Sequence, residues 1–250
     1  MKKEKRVLSV ALPILSVCLI ALLWGVAAFF TDDGLVIPKI SETFSALFGL
    51  LKSADFYGAL FSTLLRSLVA FTVSYALAFL TALLSYKSEN AKKFLSPLIT
   101  IVRTLPTVAV VLLLVLWTDS KIAPIVVTTL VVFPMMHGEL SVALFGIDKD
   151  ALTMCRVYGV SKKDRFFKVI LPGIAPHLIL SVGTGFTLNL KLMVAAEVLS
   201  STARSMGYLL NTAKIYFEIS TMLALVVFTV LLGLIIETVF NFISKKAVKR

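Results

Sequence analysis

The sequence predicts an all-α membrane protein with about six transmembrane helices and both termini in the cytoplasm, and three observations predict it. The chain of 250 residues is 58% hydrophobic with a mean hydropathy of +0.96, whereas soluble domains hold about 45–50% apolar residues. Apolar runs recur that match the roughly 20 helical residues needed to cross about 30 Å of hydrocarbon. The cations are also sorted: of 25 Lys and Arg, seventeen lie in the N-terminal tail, around 87–93, in 138–175 and in the C-terminal tail. Spanning segments must satisfy their own backbone hydrogen bonds, and β-barrel alternation is absent, which leaves a helical bundle.

Taken in order, the expected spans are 8–30, 61–86, 97–117, 122–137, 176–200 and 222–243, the fourth being the shortest. Residues 1–250 read as one membrane domain, with a first helix at about 8–30 and core helices from about 61 to 243. The first span begins like a signal peptide, with Lys2, Lys3, Lys5 and Arg6 ahead of an apolar stretch that reaches Val26, Ala27 and Ala28. Its length of about 23 residues exceeds the usual 7–15 of a signal-peptide core, so an uncleaved helix is expected. Residues 41–53 read as an amphipathic helix on the outer surface, with Phe44, Leu47, Phe48 and Leu51 on one face. Pro97 opens the third span, and Pro106 removes a backbone donor and kinks it.

The positive-inside rule places the cation-rich segments in the cytoplasm, which accounts for the net charge of +11 and leaves no need for a nucleic-acid partner. Cys18 lies inside the first span and Cys155 in a cytoplasmic loop, so there is no extracellular disulfide framework. No metal-ligand spacing is present, and His137 and His177, forty residues apart, read as interface residues. A membrane enzyme would need clustered His, Asp or Cys, which this chain lacks, so no catalytic residue is expected. Ionisable residues inside spans are costly and mark pathways unless they snorkel. Arg103, Lys191, Glu197 and Glu237 are the candidates, with Asn189 beside Lys191, and Arg66 shares the snorkelling reading with Arg103.

The loop at about 138–175 is the informative segment, because a helical hairpin needs only a few connecting residues and this one has more than thirty. Asp148 can cap a helix whose first turn holds Asp150, an acid at the positive end of the helix dipole. Gly159 supplies a left-handed stop. Ser161, three positions before Asp164, resembles a capping box that restarts a second short helix, which Pro172 then ends. Ala151, Leu152, Met154, Cys155, Val157 and Tyr158 cover most of the first short helix, where a solvated helix would show a polar face. Such a helix outside the membrane buries itself against its own bundle or in a partner's groove.

Residues 146–159 (Gly-Ile-Asp-Lys-Asp-Ala-Leu-Thr-Met-Cys-Arg-Val-Tyr-Gly), then Val160 and Ser161, then Ile170-Leu171-Pro172, resemble the "EAA" loop of binding-protein-dependent ABC importer permeases. The likeness covers most of the chain and is greatest to the nitrate, sulfonate and taurine branch. Thr63-Leu-Leu-Arg66-Ser67 opens span two, and Arg103-Thr-Leu-Pro106 is similar to that branch's Arg-Pro-x-Pro. Val194-Ala-Ala-Glu197 is similar to its Val-x-x-Glu, and Gly207-Tyr208 to its Gly-Leu-Gly turn. The sequence departs at Thr153-Met154-Cys155, which replaces Glu-Ala-Ala, at Ser205-Met206, and at Leu190, where many relatives have Trp.

The resemblance implies a type I ABC importer permease in the bacterial cytoplasmic membrane, carrying a small polar or anionic solute: a sulfonate, nitrate, taurine or a vitamin precursor. It implies a separate ATPase subunit, an extracytoplasmic solute-binding protein, a second permease copy and membrane lipid as partners. This chain would bind no cofactor, ATP and Mg belonging to the ATPase; no Gly-x-x-x-x-Gly-Lys phosphate loop is present. Thr153, Met154, Cys155, Arg156, Tyr158 and Gly159 form the implied coupling contact, shaped by Asp150, Ser161 and Pro172. Arg103, Pro106, Asn189, Lys191 and Glu197 are the pathway candidates. An ion-coupled secondary transporter is the alternative, but such proteins show internal repeats and midplane acids, neither evident here.

Overall fold

The computed structural model describes the backbone of residues 2–31 and 37–248 and the side chains of residues 12, 15–31 and 37–246. The basic cluster Lys2, Lys3, Lys5 and Arg6 is outside the described side chains. The described chain is helical and without strands. In order the helices are α1 (Lys2–Thr31), α2 (Ile40–Leu50), α3 (Ala54–Lys87), α4 (Glu89–Thr104), α5 (Thr107–Trp117), α6 (Ala123–Phe145), α7 (Lys149–Val157), α8 (Lys162–Arg165), α9 (Leu171–Leu199), α10 (Met206–Ile215) and α11 (Ile219–Val248). Four of the described helices are long and apolar enough to cross a membrane by length and composition, or five if the bent pair α4–α5 is one span. α1 covers the expected first span, and its described apolar part is Leu15–Thr31.

Several boundaries differ from the sequence reading, each for a local reason. The third span is no single rod starting at Pro97: α4 begins at Glu89, capped by the Ser88 hydroxyl, which accepts from Ala91 N–H at 3.3 Å, and Pro97 lies inside the helix. At Pro106 the chain turns by 87° into α5, because a proline ring keeps Leu105 extended (ψ 129°) and donates no hydrogen bond across the break. The fourth span does not stop at His137 but runs to Phe145, so the connecting loop begins at Gly146 rather than at residue 138. Glu139 and Ser141 belong to a helix whose Met136, Leu140 and Leu144 remain buried at four-residue spacing.

Pro172 does not end the second short helix. It stands in the first turn of α9, and the chain is one helix over Lys162–Leu199. A proline ring strikes the carbonyl four residues back. Here the turn is widened to a π-helical stretch, Phe166–Ile170, in which Leu171 N–H bonds to Phe166 O.

The chain falls into two compact units. The first comprises Met1–Tyr57 and Leu209–Phe228. Within it Trp24 Nε1 donates to Pro38 O at 3.1 Å, and Phe56 meets Phe228 edge to face at 4.9 Å. In α2, Leu47 is buried while Phe44 and Phe48 are exposed, so the expected apolar face is split.

The second unit comprises Gly58–Tyr208 and Thr229–Arg250. Its most extensive helix pairing is α6 with α9, and α4 and α5 both lie against α6. Its core joins Phe71, Ala78 and Ala82 of α3, Met136, Leu140 and Leu144 of α6, Ile170 of the π-helical stretch and Ile174 of α9. In lipid, burying apolar surface between helices has no hydrophobic drive, so small residues such as Ala78 and Ala82 matter because they permit close packing.

Candidate functional site

The loop between α6 and α9 is built as a rigid corner. The Asp148 carboxylate accepts from Asp150 N–H at 2.9 Å, satisfying a first-turn donor of α7. At the other end Gly159 has φ +66°, and the paired bonds Gly159 N–H to Arg156 O (3.2 Å) and Val160 N–H to Cys155 O (2.9 Å) form a Schellman motif. A side chain at Gly159 would meet nothing within 4 Å, so its backbone angle, not space, requires glycine. Ser161 then starts α8: its hydroxyl accepts from Asp164 N–H at 3.0 Å and donates to the Asp164 carboxylate at 2.7 Å. Lys168 lies 2.7 Å from the same carboxylate.

No residue of α7 is buried. Leu152 packs on the α3–α6–α9 core, while Met154, Val157 and Tyr158 are 58%, 77% and 77% exposed. Thr153 bonds its own helix at Lys149 O (2.8 Å), Arg156 is exposed, and Cys155 is a half-buried free thiol. The structure thus gathers Thr153, Met154, Arg156, Tyr158 and Gly159 on one uncovered projection with Asp150 and Ser161 at its caps. Pro172 is set apart, in α9.

The intramembrane candidates separate. Glu197 is fully buried, and Arg66 of α3 donates to it through Nε at 2.9 Å, with Nη2 2.8 Å from the same oxygen. The Thr63 hydroxyl lies within hydrogen-bond reach of both carboxylate oxygens (3.0 and 2.9 Å) and accepts from Met206 N–H at 2.9 Å. Gly207 N–H donates to Glu197 at 3.2 Å. A Cβ on Gly207 would stand 2.4 Å from Glu197 Cβ and 2.6 Å from Val198 N, so only glycine admits this approach. Glu197 is therefore a clamp that ties the far end of α9 to α3 and α10. Ser205 caps α10 by accepting from Tyr208 N–H at 2.8 Å.

Asn189 is also buried and donates to Ser67 O at 2.8 Å, a second tie between α9 and α3. Lys191 points the other way. It is exposed on the stripe of α9 that carries His177, Ala195 and Leu199 at helical spacing. Arg103 is exposed between two cavities and donates to Pro134 O at 3.2 Å. On one side is a cavity of about 360 Å³ walled by Lys92, Ser96, Thr100, His137 and Ser141; on the other is one of about 430 Å³ walled by Leu105, Thr107 and Met135 beside the Pro106 break. His137 is half-buried on the cavity wall, and its ring nitrogens face Thr81 Oγ1 (2.9 Å) and Ser141 Oγ (3.3 Å).

Glu139 falls outside the expected fourth span because that span stops at His137, eight residues short of the end of α6 at Phe145. The structure places it half-buried within α6, near Thr184 of α9 and the hydroxyl of Tyr75. The signal was available: Leu140, Val142, Ala143, Leu144 and Phe145 continue the apolar run past the acid. Among the described residues no group of three or more His, Cys, Asp or Glu is placed to hold a metal ion.

Spanning helices with a polar cavity walled by Lys92 and Arg103, and a short helix that leaves Met154 and Val157 uncovered at a glycine corner, are the parts of a membrane transport subunit. Residues 74–249 match the model of the binding-protein-dependent transport system inner membrane component family, and the chain belongs to that family. It is similar to a Bacillus subtilis protein named as an aliphatic sulfonates transport permease (22% identical, 80% of this chain, 72% of that one). It is also similar to the Escherichia coli taurine transport system permease protein (21%, 88% and 82%) and to the Leptolyngbya laminosa nitrate import permease protein (26%, 62% and 55%). Among solved structures the fold matches an amino acid ABC transporter (TM-score 0.66, 15% identity, 77% of this chain and 93% of that one). It matches the MetNI methionine ABC transporter in an inward-facing conformation as well (TM-score 0.67, 16%, 77% and 96%). The chain is a multi-pass ABC importer permease of the inner membrane.

Proposed function

We propose that two copies of this chain enclose the pathway of an importer for a small anionic solute, delivered by an extracytoplasmic binding protein. ATPase subunits seated on α7, holding the ATP and Mg, drive the cycle. The uncovered face of α7 carries this reading, because exposed Met154, Val157 and Tyr158 on a stiff corner need a groove to cover them. The cation-rich loop faces the cytoplasm by the positive-inside rule.

The mechanism follows from what the corner joins. α7 leads through Gly159 and Ser161 into the continuous helix Lys162–Leu199. That helix is held at its far end by Glu197 on Arg66, Thr63 and Gly207. A lever pinned at one end and pulled at the other changes tilt, a two-state motion that nucleotide and solute can bias in opposite directions.

The solute class rests on two supports. The relatives named above serve sulfonates, taurine and nitrate. The cavity beside Arg103 also holds Lys92 and the hydroxyl of Ser96, groups that suit an oxyanion. Lys191, exposed within a spanning helix, sits where a second copy or the solute can meet it.

The test is Met154→Asp in the complex reconstituted with its ATPase and binding protein. A carboxylate in an apolar groove carries a large desolvation cost. The variant should insert and melt like wild type yet lose uptake and solute-stimulated ATP hydrolysis. Normal coupled turnover would refute the seat on α7.

A further inference from the structure

At the foot of the loop lies a cleft of about 710 Å³, of whose lining the coupling contact uses Arg156 alone. Its floor is apolar: Leu83 and Tyr86 from the end of α3, Leu152 from α7, and Phe166, Phe167 and Ile170 from the π-helical turn. Its rim is basic, with Lys87, Arg156, Lys162, Lys163 and Arg165, and no Asp or Glu lines it. None of these five cations has an ion-pair partner among the described residues; the nearby Asp164 is taken up by Lys168 and Ser161. Lys87 Nζ stands 5.9 Å over the Phe166 ring, which turns the one long amine on the α3 side toward the aromatic floor.

Five like charges around one concavity raise its local potential and draw in anions, so a negative occupant is the one that fits. The floor must be covered as well, since Phe167 is 55% exposed. Depth decides between a soluble anion and an amphiphile. The apolar run of α3 ends at Lys87, and that of the continuous helix Lys162–Leu199 begins just after the basic Lys162, Lys163 and Arg165, so the cleft stands at the charged end of both apolar stretches. A phosphate group among the Lys and Arg side chains and an acyl chain against Phe166 and Phe167 fill both halves of such a site.

We propose that this cleft binds the headgroup of an anionic phospholipid, joining the end of α3, α7 and α8 through one phosphate. The site spans both sides of the Gly159 corner, with Arg156 before it and Lys162 after it. An occupied cleft therefore braces the corner whichever solute is carried.

The test is a binding titration on the full-length permease, alone and with its ATPase, in uncharged detergent. The probes are dioleoyl phosphatidylglycerol, dioleoyl phosphatidylcholine and glycerol 1-phosphate. Phosphatidylglycerol should bind with and without the ATPase, and the other two should bind at least tenfold more weakly. Each cation near an anionic headgroup is worth about fivefold in affinity, so the variant Lys162→Gln/Lys163→Gln/Arg165→Gln should bind roughly 100-fold more weakly. The variant Lys245→Gln/Lys246→Gln, at the end of α11 and outside the lining of the cleft, should stay within about threefold of wild type, less than the loss of one headgroup contact. Melting without lipid reports folding. If the triple variant melts low, Lys163→Gln alone should still lose about fivefold. Unchanged binding in the cleft variants, or equal loss in the α11 variant, would overturn the proposal. Equal binding of glycerol 1-phosphate would assign the cleft to a soluble anion instead. Loss of lipid whenever the ATPase is present would assign it to an acidic segment of that partner, and either result rejects the lipid.

Discussion

Replacing Glu197 by Gln keeps the shape of the side chain and removes its charge. Arg66, 13% exposed, is then left in the bundle without its counter-charge, while the new amide can still accept from Gly207 N–H and the Thr63 hydroxyl. Removing one member of a buried ion pair costs about 3–5 kcal/mol, chiefly the desolvation of the charge left behind. At about 2–4 °C per kcal/mol for a chain of this length, the variant should melt roughly 6–20 °C below wild type. The double variant Arg66→Gln/Glu197→Gln carries no orphaned charge and should recover most of that loss. The assay is thermal unfolding of the purified permease in detergent, followed by the fluorescence of Trp24 and Trp117. If Glu197→Gln melts within about 2 °C of wild type, no charge was being held there and the clamp reasoning is wrong. If the double variant melts as low as the single, the cost lies in the hydrogen bonds and not in the ion pair.

Gly207→Ala places a methyl 2.4 Å from Glu197 Cβ and 2.6 Å from a backbone nitrogen that cannot yield. It should cost about 1–3 kcal/mol by overpacking, seen in the same melt. Gly159→Val must adopt a φ near +66° that costs a branched residue about 1–2 kcal/mol. It should uncouple ATP hydrolysis from solute while lowering the melt by only a few degrees, and Gly159→Asn, which tolerates the left-handed region, should restore coupling. Arg103→Met removes a cation and its bond to Pro134 O from between the two cavities. Uptake of an anionic solute into proteoliposomes should fall roughly tenfold or more, in line with about 1.5–3 kcal/mol for a charged hydrogen bond, and Arg103→Lys should retain more of it.

Features governed by local chemistry were readable in the sequence. Asp148, Gly159 and Ser161 act on residues within a few positions of themselves, and each cap stands where its side chain placed it. Long apolar runs likewise announce spans, since the bilayer sets their length. Pro172 misled because proline is equally at home just after a helix and in the first turn of one. The choice here depends on a widened turn at Phe166–Ile170 that no single residue signals. Glu139 was hidden by an ionisable residue being taken for a span end.

For the residues inside the membrane, sequence could supply candidates but not their direction. Asn189 and Lys191 are two positions apart on α9, yet one is sealed against Ser67 and the other is exposed. Glu197 has its partners more than 130 positions away, at Thr63 and Arg66. Only tertiary packing tells a clamp from a pathway group. The 87° break at Pro106 belongs with these, because a proline permits a bend and the packing of α4 and α5 on α6 sets its angle.

The lever account depends above all on what covers α7. With Cys18 and Cys155 replaced by Ser, Met154→Cys should crosslink through a short bifunctional maleimide to the ATPase subunit of the assembled complex, and nucleotide should alter the yield. A crosslink that joins the introduced thiol only to this chain's own helices, at the same yield with and without the ATPase, would contradict it.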